Sequence, residues 1–224
     1  MKLHAFLVAI ILIVFIILTR GIEMYQNTSL PILVISIPGS KRREKINKMF
    51  NGYKGDFRFS DGIIAKTDDD RRYHLKKLDL PESLMDTMLT KGELGCALAH
   101  VYAYKYIIDN KLPRALILED DIEFTEDGVL DKLANYEIPD NEPHIRFLHG
   151  IDMYGFQAQV VSQEGAQFLY SHRDKLISDA IDIVVWHKRI PVSYSKGPVY
   201  FKHGIPFNDE STSERIQINN DIKI

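Results

Sequence analysis

The chain has 224 residues, 45% of them hydrophobic and 26% charged, with a formal net charge of -3. Those proportions exclude wholesale disorder, and the small negative charge removes the electrostatic case for a nucleic-acid partner. One cysteine, Cys96, excludes an internal disulfide and any zinc site built on paired thiolates.

The length suits one sizeable domain with a short appendage. The sharpest compositional break is at the N-terminus, where residues 3–18 read LHAFLVAIILIVFIIL with His4 as the one polar side chain. At about 1.5 Å per residue this run reaches roughly 24 Å, a little short of a hydrocarbon core of about 30 Å. It would span with Thr19, Gly21 and some bilayer thinning. Lys2 before it and Arg20 after it give a weak orientation bias. A cleaved signal peptide is the alternative, but LTRGIEMYQ shows no evident small-x-small cleavage site. A buried helix is a third reading. We therefore expect a transmembrane signal-anchor over residues 1–20, a polar stem over 21–29 and one domain over 30–224. Such a single-pass protein would sit in a Golgi or reticulum membrane, a bacterial inner membrane, or a host membrane if viral. Asn27-Thr28-Ser29 fits a glycosylation acceptor pattern just past the anchor.

PILVISI, residues 31–37, is a short β-branched run closed by Pro38-Gly39-Ser40, which predicts a buried strand and a turn. KRREKINKMF follows with Ile46, Met49 and Phe50 on one helical face and Ser40 as N-cap. Strand, turn and helix in that order predict an α/β domain with a parallel sheet. Residues 52–80, with the run TDDDRRYHLKK, read as a solvated loop. LGCALAHVYAYKYII carries an apolar stripe through Leu98, Val101, Tyr104 and Ile108, so a helix is expected, ended by Asn110-Lys111-Leu112-Pro113. ALILEDD then runs four apolar residues straight into Glu119, Asp120 and Asp121, a buried strand with acids at its carboxyl end. Further on, a short helix lies within residues 128–143 and a strand within 144–148. GFQAQVVS reads as a strand and QEGAQFLYSHRDKL as a helix. AIDIVVW is apolar around one acid, Asp182. PVSYSKGPVYF reads as a strand pair or a strand with a Gly-Pro turn. The tail from Asn208 is polar.

Open α/β sheets bind ligands beyond the carboxyl ends of their strands. Three adjacent carboxylates there repel one another unless they are solvated or paired with a cation. Mg²⁺ and Mn²⁺ take oxygen ligands and commonly complete their shell with substrate phosphates. Alternation along a strand end would point Glu119 and Asp121 one way and Asp120 the other. Acids at strand ends also cap helices or face water, so the three residues alone leave the choice open.

KGELGCALAHVYAYKYIIDNKLPRALILEDDIEF, residues 91–124, resembles the central block of glycosyltransferase family 25. That family includes bacterial lipooligosaccharide β-galactosyltransferases and procollagen galactosyltransferases. Its pattern is G-x-x-G-C-x-x-S-H, a helix, then an apolar strand ending L-E-D-D. Gly92, Gly95, Cys96, His100, Leu118, Glu119, Asp120 and Asp121 match it. VISIPGSKRREKI resembles the family's first strand and arginine-containing turn, through Ser40, Arg42 and Arg43. SQEGAQFLY resembles its later S-x-x-G-A-x-x-L segment, through Ser162, Gly165, Ala166 and Leu169. Asp182 falls where the family has P-[IV]-D. The chain departs from the pattern at Ala99 for Ser, Ser36 for a common Asn, Gln159 for an aromatic and Ala180 for Pro.

The resemblance implies a GT-A type, Rossmann-like nucleotide-sugar fold and a metal-dependent, inverting hexosyltransferase. The donor would be a UDP-sugar, most naturally UDP-galactose, and the acceptor a saccharide or glycoprotein. Asp121 and Glu119 would hold Mn²⁺ or Mg²⁺, and Asp120 would contact ribose or sugar. Arg42 and Arg43 follow the first strand, where a guanidinium meets uracil or phosphate oxygens; an exposed helix face is the alternative. Asp182 is the candidate general base and His203 a candidate third metal ligand. His100 reads first as a satisfied core histidine, Cys96 as a packing residue and Trp186 as core rather than a sugar platform. Two other functions stay open: a non-catalytic binding or adhesion module that keeps the fold, and a generic metal-dependent phosphohydrolase.

Overall fold

The computed structural model describes residues 29–136, 144–149 and 156–203. The expected anchor, most of the stem and the polar tail lie outside the described residues. Among those described, no helix is long and apolar enough to cross a membrane.

The first strand, β1 (Ile32–Ser36), is buried at every position, as its β-branched run predicts. Helix α1 (Lys41–Met49) starts at Ser40, whose Oγ accepts from Arg43 N, and buries Ile46. The segment expected as a solvated loop is ordered instead. It holds β2 (Phe57–Asp61), parallel to β1, and α2 (Asp68–Lys77). A capping box between Thr67 and Asp70 starts α2, three aspartates fill its first turn, and His74, Lys76 and Lys77 lie in its last. Acids at the amino end and bases at the carboxyl end both oppose the helix dipole. Because only Leu75 is buried, the helix has almost no apolar stripe to read.

A short 3-10 turn (Glu82–Asp86) leads to α3 (Lys91–Asp109), capped by a second box between Thr90 and Glu93. Then come β3 (Arg114–Glu119), β4 (Ile122–Phe124) and α4 (Val129–Ala134). β5 (Ile145–His149) and β6 (Ala158–Ser162) follow, then α5 (Gln163–Ser171) and α6 (Arg173–Leu176). The run holding Asp182 is a helix, α7 (Ile181–Trp186), so this acid lies in a first helical turn and not at a strand end. The last element is one strand, β7 (Tyr194–His203), not a pair. It pairs with β5 first and with β4 beyond an irregularity in register.

The result is a mixed α/β fold on a seven-stranded sheet of order β2-β1-β3-β6-β5-β7-β4. β6 and β4 run against the other five strands. Alternate residues of each central strand enter two cores. Leu33, Ile35, Ala115 and Ile117 join the cluster under α2, α3, α5, α6 and α7, while Ile32, Val34, Leu116 and Leu118 join the one under α1 and α4. Cover on both faces is why these strands read as continuous apolar runs.

Two glycines of the sequence motifs mark close helix approaches. A Cβ on Gly95 would lie 2.3 Å from Ile63 O, and one on Gly165 would lie 2.4 Å from His144 O, whereas Gly92 has open space around it. Gly95→Ala should therefore cost about 2 kcal/mol through overpacking against backbone. Gly92→Ala should leave stability unchanged or raise it. Urea midpoints of the two variants check this, and equal midpoints would refute the close-approach reading.

His74 on α2 packs against α3, with Nδ1 3.1 Å from the Tyr102 hydroxyl. Burial, reinforced by Lys77 and partly opposed by Asp70, holds its imidazole below the ordinary 6.5. The folded state thus favours neutral His74, and the unfolded chain binds the proton first as pH falls below about 6.5. Stability carried by this contact is full at neutral pH and lost on acidification. His74→Gln should flatten that part of the thermal-midpoint profile, as scanning calorimetry across the range would reveal.

Candidate active site

The carboxyl ends of β1, β2, β3, β5 and β7 share one edge of the sheet. Ser36, Asp61, Glu119, His149 and the backbone of His203 therefore gather there. Residues Asp120 and Asp121 form the turn that carries the chain from β3 into β4.

Glu119 faces α3. Its Oε1 lies 2.9 Å from His100 Nε2 and 3.5 Å from Cys96 Sγ. His100 is wholly buried, and its Nδ1 lies 3.1 Å from the side-chain amide nitrogen of Gln159, itself wholly buried. The Tyr104 hydroxyl reaches Gln159 Oε1 at 3.5 Å. His100 is thus a satisfied core histidine, as expected, but one wired to the first of the three acids.

Asp120 turns the opposite way, toward β1 and α1. Its Oδ2 accepts from Ser36 Oγ at 2.6 Å and its Oδ1 from Arg42 at 3.3 Å. Burial pushes its carboxyl above the usual range, against the pull of the Ser36 hydrogen bond and Arg42. Arg42 remains about one-third exposed. Arg43 is committed elsewhere: its guanidinium donates to Ser36 O at 2.9 Å and to Asp61 at 2.7 Å, and it lies over the Phe59 ring at 4.4 Å. The two arginines of the motif therefore divide, one on the acid turn and one bracing β1, β2 and α1.

Asp121 and Asp182 both lie near enough to Cys96 for their charges to act on its thiol. Burial is the main force pushing that thiol well above its ordinary range, and the nearby charges of Glu119, Asp121 and Asp182 add to it. Asp121 Oδ1 is closed off from solvent. Asp182 Oδ1 accepts from Ile183 N at 2.8 Å, which fixes the carboxylate at the start of α7. Across the β4–β7 ladder His203 pairs with Ile122, next to Asp121. Glu119, Asp121 and Asp182 thus share an electrostatic neighbour in Cys96, while Asp120 pairs with Arg42.

Carboxylate oxygens suit a hard divalent cation. Asp121 and the second oxygen of Glu119 are the groups that fit one; Glu119 Oε1 is engaged by His100. Cys96, His100 and Glu119 also place three donor atoms within 4.8 Å of one another. There the imidazole meets the carboxylate directly at 2.9 Å, so a hydrogen bond already fills the position a cation would take.

Sequence reasoning gave no role to Ser36, or to Gln159 beyond naming it a departure. The available signal for Gln159 was a lone amide within the otherwise apolar stretch of AQVVS. The raised thiol has a direct readout: Cys96 should resist a disulfide reagent at mildly alkaline pH and react at the rate of a free thiol once the chain is unfolded in denaturant. Equal rates in both states would contradict the raised thiol.

Residues 29–154 match the family described as glycosyltransferase family 25 (LPS biosynthesis protein). Over 36 residues, 16% of this chain and 6% of the relative, the sequence is 47% identical to procollagen galactosyltransferase 2 of Mus musculus and of Homo sapiens. Over 110 residues, 48% of this chain and 38% of the relative, it is 31% identical to a putative glycosyltransferase of Haemophilus influenzae. The matches thus span well under half of each relative's length. Among solved structures, a glycosyltransferase involved in the glycosylation of the major capsid of PBCV-1 is similar at a TM-score of 0.47 and 10% identity, over 86% of this chain and 99% of that one. Mouse xyloside xylosyltransferase 1 reaches 0.36 at 12% identity, over 74% and 72%. Both structural likenesses are too loose to argue from. The family match covers more than half of the chain and includes the strand-end acids and the helix above them, so the chain belongs to glycosyltransferase family 25.

Proposed function

We propose that this chain transfers a hexose, with UDP-galactose as the leading donor, to a saccharide or glycoprotein acceptor. The site would be of GT-A type, dependent on Mn²⁺ or Mg²⁺, and inverting at the anomeric carbon. The apolar N-terminal run would tether the domain to a membrane. The observation that carries the reading is the acid turn at the carboxyl edge of the sheet, where Glu119 ends β3 and Asp120 is paired with Arg42, together with the charges of Asp121 and Asp182 acting on the same Cys96 thiol.

In this reading Asp121 and the second oxygen of Glu119 hold the divalent cation. When bound, the cation supplies positive charge to the leaving diphosphate. Arg42, partly exposed and steadied by Asp120, offers guanidinium donors to a phosphate or to the nucleoside. Asp120, held by Ser36 and Arg42, would accept from ribose or sugar hydroxyls through its remaining lone pairs. Asp182, held at the start of α7 by the Ile183 amide, takes the proton of the acceptor hydroxyl as it attacks. Inversion requires that this base approach the sugar from the side opposite the leaving group. Family membership supports transfer as the class of reaction. The choice of galactose draws on the procollagen galactosyltransferase 2 likeness, which covers only a short stretch.

Incubation of the full chain with Mn²⁺ and a panel of UDP-sugars should give sugar-dependent UDP release, largest with UDP-galactose. Asp121→Ala should lower turnover by ~100-fold or more, since metal charge stabilisation is worth several kcal/mol, while the thermal midpoint holds. Absence of both donor turnover and metal-dependent UDP binding would sink the proposal.

A further inference from the structure

We infer that Gln159 is a positioning residue: its side-chain amide locks His100 in the Nε2–H tautomer and, through that ring, holds Glu119 at the donor site. The inference rests on the reading of that edge as a donor site.

A primary amide wholly buried in β6 must have partners, because an unmatched buried polar group is costly. Gln159 has one on each side, the Tyr104 hydroxyl at 3.5 Å and His100 Nδ1 at 3.1 Å. A neutral imidazole carries one N–H. A carboxylate only accepts, so the 2.9 Å contact with Glu119 requires the proton on Nε2. Nδ1 is then an acceptor, and the Gln159 group facing it must be the NH₂. The reversed amide would aim a carbonyl at Nδ1, move the proton there, and set a ring lone pair against the Glu119 carboxylate. Tyr104 can rotate its hydroxyl to suit either arrangement; Glu119 decides between them.

The members are carried by rigid elements. Tyr104 and His100 lie four residues apart on one face of α3, Gln159 pairs across the ladder with Ile117 and Phe147, and Glu119 closes β3. Phe156 meets the His100 ring edge-on at 5.1 Å and limits its rotation. An apolar side chain at position 159 would leave Nδ1 of a wholly buried imidazole unmatched and let the ring turn. Glu119 would then lose the nearer of the two groups that hold Oε1, leaving only Cys96 Sγ at 3.5 Å, and with it the placement of the second oxygen. Outer-shell partners of this kind typically affect metal affinity 10–100-fold.

The test uses the full chain with ¹⁵N-labelled histidine, His100 being assigned against His100→Asn. Wild type should show a single Nε2–H tautomer. Gln159→Leu should lose that single tautomer, and Gln159→Glu, with the same shape but an acceptor facing the ring, should place a proton on Nδ1. UDP affinity with Mn²⁺, measured by calorimetry, should fall about tenfold in each variant that folds. A wild-type proton on Nδ1 would overturn the inference, as would a changed tautomer with undiminished UDP affinity. If wild type binds no UDP with Mn²⁺, the donor-site reading fails separately, and the tautomer spectrum alone decides whether Gln159 governs the ring.

Discussion

The seating of α3 against the carboxyl end of β3 is the constraint on which the site depends. The capping box at Thr90 and Glu93 sets where the helix begins. One turn later Gly95 lets it touch the backbone at Ile63, closer than any residue with a Cβ would allow. Cys96 and His100 then fall one helical turn apart on the face that overlies Glu119. A shift of the helix by one residue would rotate both away. The apolar stripe that buries α3 supplies the energy of this docking, and the glycine supplies its distance. The same device recurs at the opposite edge of the sheet, where Gly165 brings α5 onto the backbone at His144.

Three successive acids are tolerated because each is given a different neighbourhood. Glu119 leans on an imidazole inside the core, Asp120 on a hydroxyl and a guanidinium, and Asp121 faces the enclosure around Cys96. Burial still raises the Asp120 carboxyl, so this residue in its ionised form weakens the folded state at neutral pH.

The parts of the fold written in apolar residues were legible. β1, β3 and α3 bury long β-branched or striped runs, and the acids stand at the end of β3, so the position of the cluster could be read. What escaped was written in charge. α2 hides behind TDDDRRYHLKK, a helix stabilised by its caps and dipole with a single buried leucine, and β2 is an edge strand with little buried surface. Asp182 stood out as one acid in an apolar run, but a six-residue helix of IDIVVW has too few turns to show a period. Arg42 and Arg43 are adjacent in the motif and share a residue type, so nothing local could tell that one meets Asp120 and the other braces Phe59 and Asp61. Gln159 took its meaning from His100, 59 residues away, a pairing that only the β6–β3 ladder and the α3 packing create.

The order of the sheet leaves β2 and β4 at its margins. β4 is three residues long, too short to template a strand from another chain. β2 is longer, but Arg58 near its start is tied to Asp56 and it ends in Asp61, so an incoming strand would meet fixed charge along its path. Blunted margins of this kind keep a large sheet from growing by accretion. The edge that carries the acids, by contrast, lies across the strand ends, where no ladder can extend, and a crowded array of polar groups can stay open there without inviting self-association.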